Sequence, residues 1–259
     1  PCTRSTALAA GTSYPAITLT VTVGSTAPAS VTNTVTVSGG GETNTANDTA
    51  TDVTAIGAAG TTGVFQNETL ISGMNLPTAL QFLPGGDMLI LELGGKIWLV
   101  PAGTTQVSST PFLSLTNIGG LNSQQGLMGM VLDPDFANNH YYYVFYTLGS
   151  PNRDRVSRFT VTEDHLGTVP GSEFPVYQDP QAAHAEHHGG ALNFGNDGKL
   201  YITTGEHFDP PAAQDMTSPR GKILRINKDG TIPTDNPFYD GSGPNRDDIW
   251  ALGLRNPFR

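Results

Sequence analysis

The chain has 259 residues, enough for one large domain or two ordinary ones, and only 14% of them are charged. With 31 glycines and 19 prolines it is rich in turns, which excludes a helical bundle or coiled coil. Thirteen basic against 23 acidic residues give a net charge of −10, the wrong sign for a nucleic-acid partner, and the single cysteine, Cys2, excludes an internal disulfide or a cysteine-built metal site. No apolar run approaches the length of a membrane span, and no basic segment with an apolar core marks a signal peptide.

Residues 1–62 hold 17 threonines and only four charges, Arg4, Glu42, Asp48 and Asp52. Ile17–Val23 and Val31–Val37 alternate apolar residues with polar ones, chiefly threonine, at period 2, which predicts two half-buried strands. Gly39-Gly40-Gly41-Glu42 predicts a turn, and Ala50–Ile56 a third strand. The Gly-Gly-Glu-Thr-Asn turn and the Asn47-Asp48-Thr49-Ala50 approach resemble the end of the threonine-rich, Ig-like DUF11-type repeats of bacterial surface proteins. The resemblance implies a partial β-sandwich over 1–57, cut at its N-terminal side, which would explain the missing secretion signal. A threonine-rich low-complexity linker is the other reading, against which the strict alternation argues. Residues 58–63 are small and glycine-rich and predict a hinge.

From residue 64 to 259 a different pattern repeats. Leu80–Ile90, Met130–Val144 and Ala191–Ile202 each read as strand, turn, strand, and Asp197-Gly198 is a strong hairpin signal. Phe82, Leu132 and Phe194 hold equivalent places, and Ala251-Leu252-Gly253-Leu254 is expected to begin a fourth copy. Repeats of this length with several short strands predict β-propeller blades. The available length suits three blades and the start of a fourth, so the fold class is all-β, a partial propeller expected to continue beyond Arg259.

His184-Ala185-Glu186-His187-His188-Gly189-Gly190 is the densest polar cluster and leads directly into the third hairpin. The segment before an innermost blade strand faces the axial channel. An imidazole there can serve as a general base; a transition-metal site from His184, Glu186, His187 and His207, or a solvated polar loop, are the alternatives. The glycine pair would admit a flat ligand close to the backbone. Gln124-Gln125-Gly126-Leu127-Met128-Gly129 precedes the second hairpin in the same way, as a ligand-bonding amide or a plain turn. Gly205-Glu206-His207 closes the third hairpin at a blade edge. Gly221–Gly230 reads as an amphipathic strand with a turn, and Arg255 would favour an anion.

Taken in order, Gln124–Gly129 with Asp133–Phe136, His187–Leu192 with Phe194–Gly198, Gly221–Ile226, Asp235–Phe238 and Ile249–Arg259 are similar to the soluble glucose/sorbosone dehydrogenase family. The resemblance implies a six-bladed propeller that uses pyrroloquinoline quinone (PQQ) and calcium to oxidise a sugar and passes electrons to an external acceptor. It implies that His187 is the base taking the anomeric hydroxyl proton while hydride passes to the quinone, that Gln124 places the substrate, and that Glu186 stands beside the base. It implies cofactor contacts from Arg255, Asn256 and His207, the last at a position that is often glutamine. Calcium ligands and the main carboxylate-binding cations are expected beyond residue 259, so the chain is expected to be inactive alone. A secreted or surface-attached bacterial location follows from the Ig-like resemblance, and a non-enzymatic carbohydrate- or protein-binding propeller remains the alternative function.

Overall fold

The computed structural model describes residues 27–38, 43–46, 48–56, 67–120 and 124–258, with residues 6, 9, 12, 20, 22 and 24. The chain divides into two units, Pro1–Glu68 and Thr69–Arg259.

In the first unit β1 (Ser30–Thr36) pairs antiparallel with β2 (Thr49–Ala55), Val31 opposite Thr54 and Val35 opposite Ala50. These match two of the three expected strands. The strand expected at Ile17–Val23, the Gly39–Glu42 turn and the 58–63 hinge lie outside the described residues, apart from Thr20 and Thr22, which are not in a strand. The expected half-burial does not occur: every residue of β1 and β2 is exposed, because a two-stranded ribbon has no second layer to pack against among the described residues.

The second unit contains three four-stranded antiparallel sheets, each a meander in chain order. The first holds β3 (Pro77–Phe82), β4 (Met88–Glu92), β5 (Lys96–Val100) and β6 (Leu113–Ser114). The second holds β7 (Leu127–Leu132), β8 (Tyr141–Thr147), β9 (Asp154–Thr160) and β10 (Phe174–Gln178). The third holds β11 (Gly189–Phe194), β12 (Leu200–Thr204), β13 (Lys222–Ile226) and β14 (Ile249–Leu252). Phe82, Leu132 and Phe194 each end the first strand of a sheet, as their spacing predicts. A short helix, α1 (Phe136–Asn139), fills the connection after β7.

β8 shows why the sheets stack. Its run Tyr141–Thr147 is apolar almost throughout, as a strand buried on both faces requires. Side chains alternate faces along a strand, so Tyr142, Val144 and Tyr146 pack with Leu89, Leu91 and Ile97 of the first sheet, while Tyr143 and Phe145 pack with Leu200 and Ile202 of the third. The first strands converge: β3 packs on β7 and β7 on β11, and Thr78 Oγ1 donates to Leu127 O at 2.8 Å. Sheets that stack face to face while their first strands meet are blades of a propeller. At the meeting line a Cβ on Gly129 would overlap the carbonyl oxygen of Gly190. Gly129→Ala is therefore expected to lower the unfolding free energy by about 1–3 kcal/mol, read as a shift in urea midpoint; an unchanged midpoint would show that β7 and β11 are not held this close.

Two sequence expectations are corrected. Ala251-Leu252 does not begin a fourth copy: it belongs to β14, the outer strand of the third sheet, with Ala251 opposite Ile223 and Leu252 opposite Lys222. The composition of an outer strand resembles that of an inner one, and only the pairing partner separates them. Gly221–Gly230 does contain a strand and a turn, but β13 is not amphipathic. Its polar members are buried with partners: Lys222 Nζ donates to Ala212 O, Ala213 O and Arg220 O, and Arg225 lies between Asp197 and Asp235, both at 2.9 Å.

Candidate active site

The segment His184–His188 leads into β11, the first strand of the third sheet, so the sheet itself delivers it to the line where first strands meet. His187 takes a left-handed backbone with φ +61°, costly for a non-glycine residue, and its surroundings hold it there. Its N–H donates to Gln124 Oε1 at 2.7 Å. Asn256 Nδ2 donates to the same oxygen at 3.2 Å, and Asn256 Oδ1 accepts from the Gly189 N–H at 2.9 Å. Residues from the approaches to the second and third sheets and from the stretch after β14 thus meet on one loop. A Cβ on Gly205 would overlap the His187 carbonyl, so only glycine permits the approach of the loop after β12.

His187 is 3% exposed and its Nδ1 lies 2.5 Å from Glu206 Oε1. A carboxylate is an acceptor, so the ring proton resides on Nδ1 and Nε2 is left as a lone pair. Glu206 Oε2 also accepts the Asp209 N–H at 3.1 Å, which fixes the carboxylate. One face of the imidazole is covered by Phe208, stacked at 4.4 Å and 14°. An imidazole whose Nδ1 is engaged by a carboxylate and whose one face is shielded presents Nε2 as the nitrogen able to accept a proton.

The candidates do not all serve alike. Arg255 is beside the pair: its carbonyl accepts the Glu206 N–H at 2.9 Å, while its side chain is 72% exposed with Nε 4.0 Å from Glu206 Oε1. Gln124 and Asn256 also line an open groove of about 500 Å³ with Leu76, Thr78, Met128 and Phe258. Glu186 is partly exposed and has no hydrogen-bond or ion-pair partner among the described residues. His207 faces inward, with both ring nitrogens on protein groups: Nε2 is 3.0 Å from Asp154 Oδ2, and Nδ1 accepts from the His184 N–H at 3.3 Å. His188 is fully buried against the same carboxylate at 2.8 Å. Burial alone would raise the Asp154 carboxyl, but hydrogen bonds from His188 and His207 outweigh it and hold it below the ordinary carboxylate range. Burial pushes the His207 imidazole down from its ordinary value, against the pull of Asp154. The glycine pair expected to admit a flat ligand is packed instead, Gly189 against Thr203 and Gly190 against Met128.

Sequence reasoning paired neither Glu206 with His187 nor Asp154 with His188 and His207. Glu206 left a signal, an acid placed between glycine and histidine at the end of a hairpin strand. Asp154 left none, because it lies 34 residues from His188 and opens an ordinary strand in the neighbouring sheet.

The chain matches the glucose/sorbosone dehydrogenase family over residues 74–258. It is 34% identical over 195 residues to an aldose sugar dehydrogenase of Escherichia coli, covering 73% of this chain and 51% of that protein. It is 30% identical over 230 residues to quinoprotein glucose dehydrogenase B of Acinetobacter calcoaceticus, covering 74% and 45%. Among solved structures, the PQQ-bound aldose sugar dehydrogenase of Streptomyces coelicolor matches with a TM-score of 0.62 at 31% identity, over 73% of this chain and 54% of that one. The chain spans about half the length of the curated relatives it matches. Three radiating sheets, a shielded histidine at their meeting line and a match running through every one of those strands have a single common explanation: this chain belongs to the glucose/sorbosone dehydrogenase family.

Proposed function

We propose that the chain is the base-bearing part of a PQQ-dependent sugar dehydrogenase in which His187 takes the proton of the sugar hydroxyl. The observation that carries this reading is the buried His187–Glu206 pair at 2.5 Å, which leaves Nε2 as the free nitrogen. The residues present suit the reactive end of PQQ: an exposed Arg255 guanidinium for a carboxylate, the Asn256 and Gln124 amides, and the groove beside them. Bound there, PQQ supplies a two-electron acceptor for the hydrogen on the carbinol carbon. The protein's own work is to hold the hydroxyl at Nε2, receive its proton there, and keep the Nδ1–H donated to the Glu206 carboxylate, whose charge stabilises the resulting imidazolium. Phe208 keeps water from one face of the ring. The one cluster of three or more His, Cys, Asp or Glu side chains among the described residues contains two histidines, a donor set that does not suit calcium, which takes oxygen ligands.

Among the described residues no helix is long and apolar enough to cross a membrane. The β1–β2 hairpin and the threonine alternation around it support reading the first unit as the end of a DUF11-type repeat that holds the enzyme at a bacterial cell surface. The test is aldose-dependent dye reduction by the longer protein that carries this chain, supplied with PQQ and calcium. Turnover is expected there and none from the 259-residue chain alone. PQQ binding without turnover on any aldose would overturn the enzymatic reading, and turnover by the 259-residue chain would overturn the expectation that it is incomplete.

A further inference from the structure

A cavity of about 480 Å³ lies between the first and second sheets and shares no lining residue with the groove beside Gln124 and Asn256. One wall comes from β6 and the segment after it, the other from β8, β9 and the approach to β10. Its size falls in the range of small-molecule pockets, which orient their ligand with a few fixed polar groups.

Such a group is present in Glu173. Its Oε1 accepts from Tyr146 Oη at 2.5 Å, Ser157 Oγ at 2.9 Å and Arg155 Nη1 at 3.4 Å. Tyr146 and Ser157 are 2% and 0% exposed. Burial, ahead of the Glu173 bond, pushes the Tyr146 phenol up to about 12, so it keeps its proton and donates. Two buried hydroxyls are thus committed to one oxygen of Glu173, while Oε2 has no partner among the described residues. The carboxylate is held in place with half of its accepting capacity left for a ligand. Beside it, Arg155 gives Nε and Nη2 to Gln178 Oε1 at 3.1 and 2.5 Å, and the guanidinium still has N–H groups to offer. On the first-sheet wall, Ser114 and Thr116 are exposed, and their hydroxyls have no partner among the described residues.

Charge decides the ligand class. An anion entering the cavity meets Glu173 and a cation meets Arg155, so either brings a repulsion with it. A hydroxyl donates and accepts at once, and neighbouring hydroxyls of one neutral ligand can satisfy Glu173 Oε2 and Arg155 together. Val169 and Pro170, both exposed, add apolar surface for carbon-bound hydrogens. We propose that this cavity between blades binds a saccharide unit through Glu173, Arg155, Ser114 and Thr116. It would hold the protein on a glycan and take no part in oxidation, so it does not rest on the enzymatic reading.

The probes are the methyl glycosides of glucose, galactose, mannose and xylose, whose anomeric hydroxyl is blocked, and PQQ is left out. They are offered to the 259-residue chain, or to the longer protein that carries it should the chain not fold alone. Saturation-transfer NMR and calorimetry are expected to show at least one of them bound with a Kd on the order of 1 mM. Glu173→Gln turns a donor toward the cavity in place of Oε2 and should weaken that binding about tenfold or more. Thr116→Trp, at an exposed position, should fill the cavity and abolish binding while leaving the Glu173 bonds intact, and His187→Ala should bind as wild type does. Protein that is folded by circular dichroism and binds none of the four at about 100 mM overturns the proposal. Binding that survives Thr116→Trp overturns it too, and binding lost in His187→Ala would place the sugar in the groove by the base instead.

Discussion

Replacing His187 by alanine in the longer protein is expected to lower kcat for aldose oxidation by about 10²–10⁴-fold, the range lost when a positioned base is removed. KM should change much less, because the sugar hydroxyl loses only its proton acceptor. The fold should survive: the Gln124 bond is made by the His187 backbone N–H, which alanine keeps, although the left-handed φ of +61° costs alanine about what it costs histidine. Glu206→Gln separates orientation from charge. Its amide can turn an N–H toward Nδ1, forcing the ring proton onto Nε2 and removing the lone pair from the side that needs it. A loss of up to about 10⁴-fold is expected, as for a base locked in the wrong tautomer. Equal activity of Glu206→Gln and wild type, measured as initial dye-reduction rates, would show that the 2.5 Å contact is structural only.

The second large effect concerns stability. Asp179, just after β10, and Arg220, just before β13, form an ion pair at 3.0 Å with side chains 3% and 10% exposed. Arg220 also donates to Ala182 O at 2.6 Å, and Asp179 Oδ1 accepts the Gln181 N–H at 2.8 Å. The pair therefore links the second and third blades and anchors the segment that runs into His184. Arg220→Met leaves a carboxylate buried without its cation and is expected to lower the unfolding free energy by about 3–5 kcal/mol. That is a large share of the roughly 5–15 kcal/mol typical of a folded domain. Arg220→Met combined with Asp179→Leu should recover most of the loss, because no buried charge then remains unpaired. Urea unfolding of the two variants distinguishes the cases; a double variant as unstable as the single one would mean that the link itself, and not the uncompensated charge, carries the stability.

Some of this was legible in the residues. Apolar alternation, the Asn196-Asp197-Gly198 turn and the equal places of Phe82, Leu132 and Phe194 are local signals, and they marked the first strand of every sheet. The ordered motifs also brought His187, Gln124, Asn256 and Arg255 forward as one group, and these do meet on a single loop. The family resemblance put Glu186 beside the base and left Glu206 as a blade-edge residue, since no local pattern pairs residues far apart in the chain. The His187 ring meets the Glu206 carboxylate across 19 positions. Ala251-Leu252 was misassigned for a related reason: inner and outer blade strands share a composition, and the partner strand decides between them.

Residue order alone determined that this protein is all-β, that it repeats a blade-like unit, and where its polar cluster enters the third repeat, since turn chemistry and period-2 patterning act over a few residues. Only the tertiary structure decided which carboxylate meets the His187 ring, and that Asp154 from one blade lies against His188 and His207 of the next. Those pairings span 19 to 53 positions along the chain, and no local preference encodes which distant strand will bring its acid within 3 Å of a given imidazole.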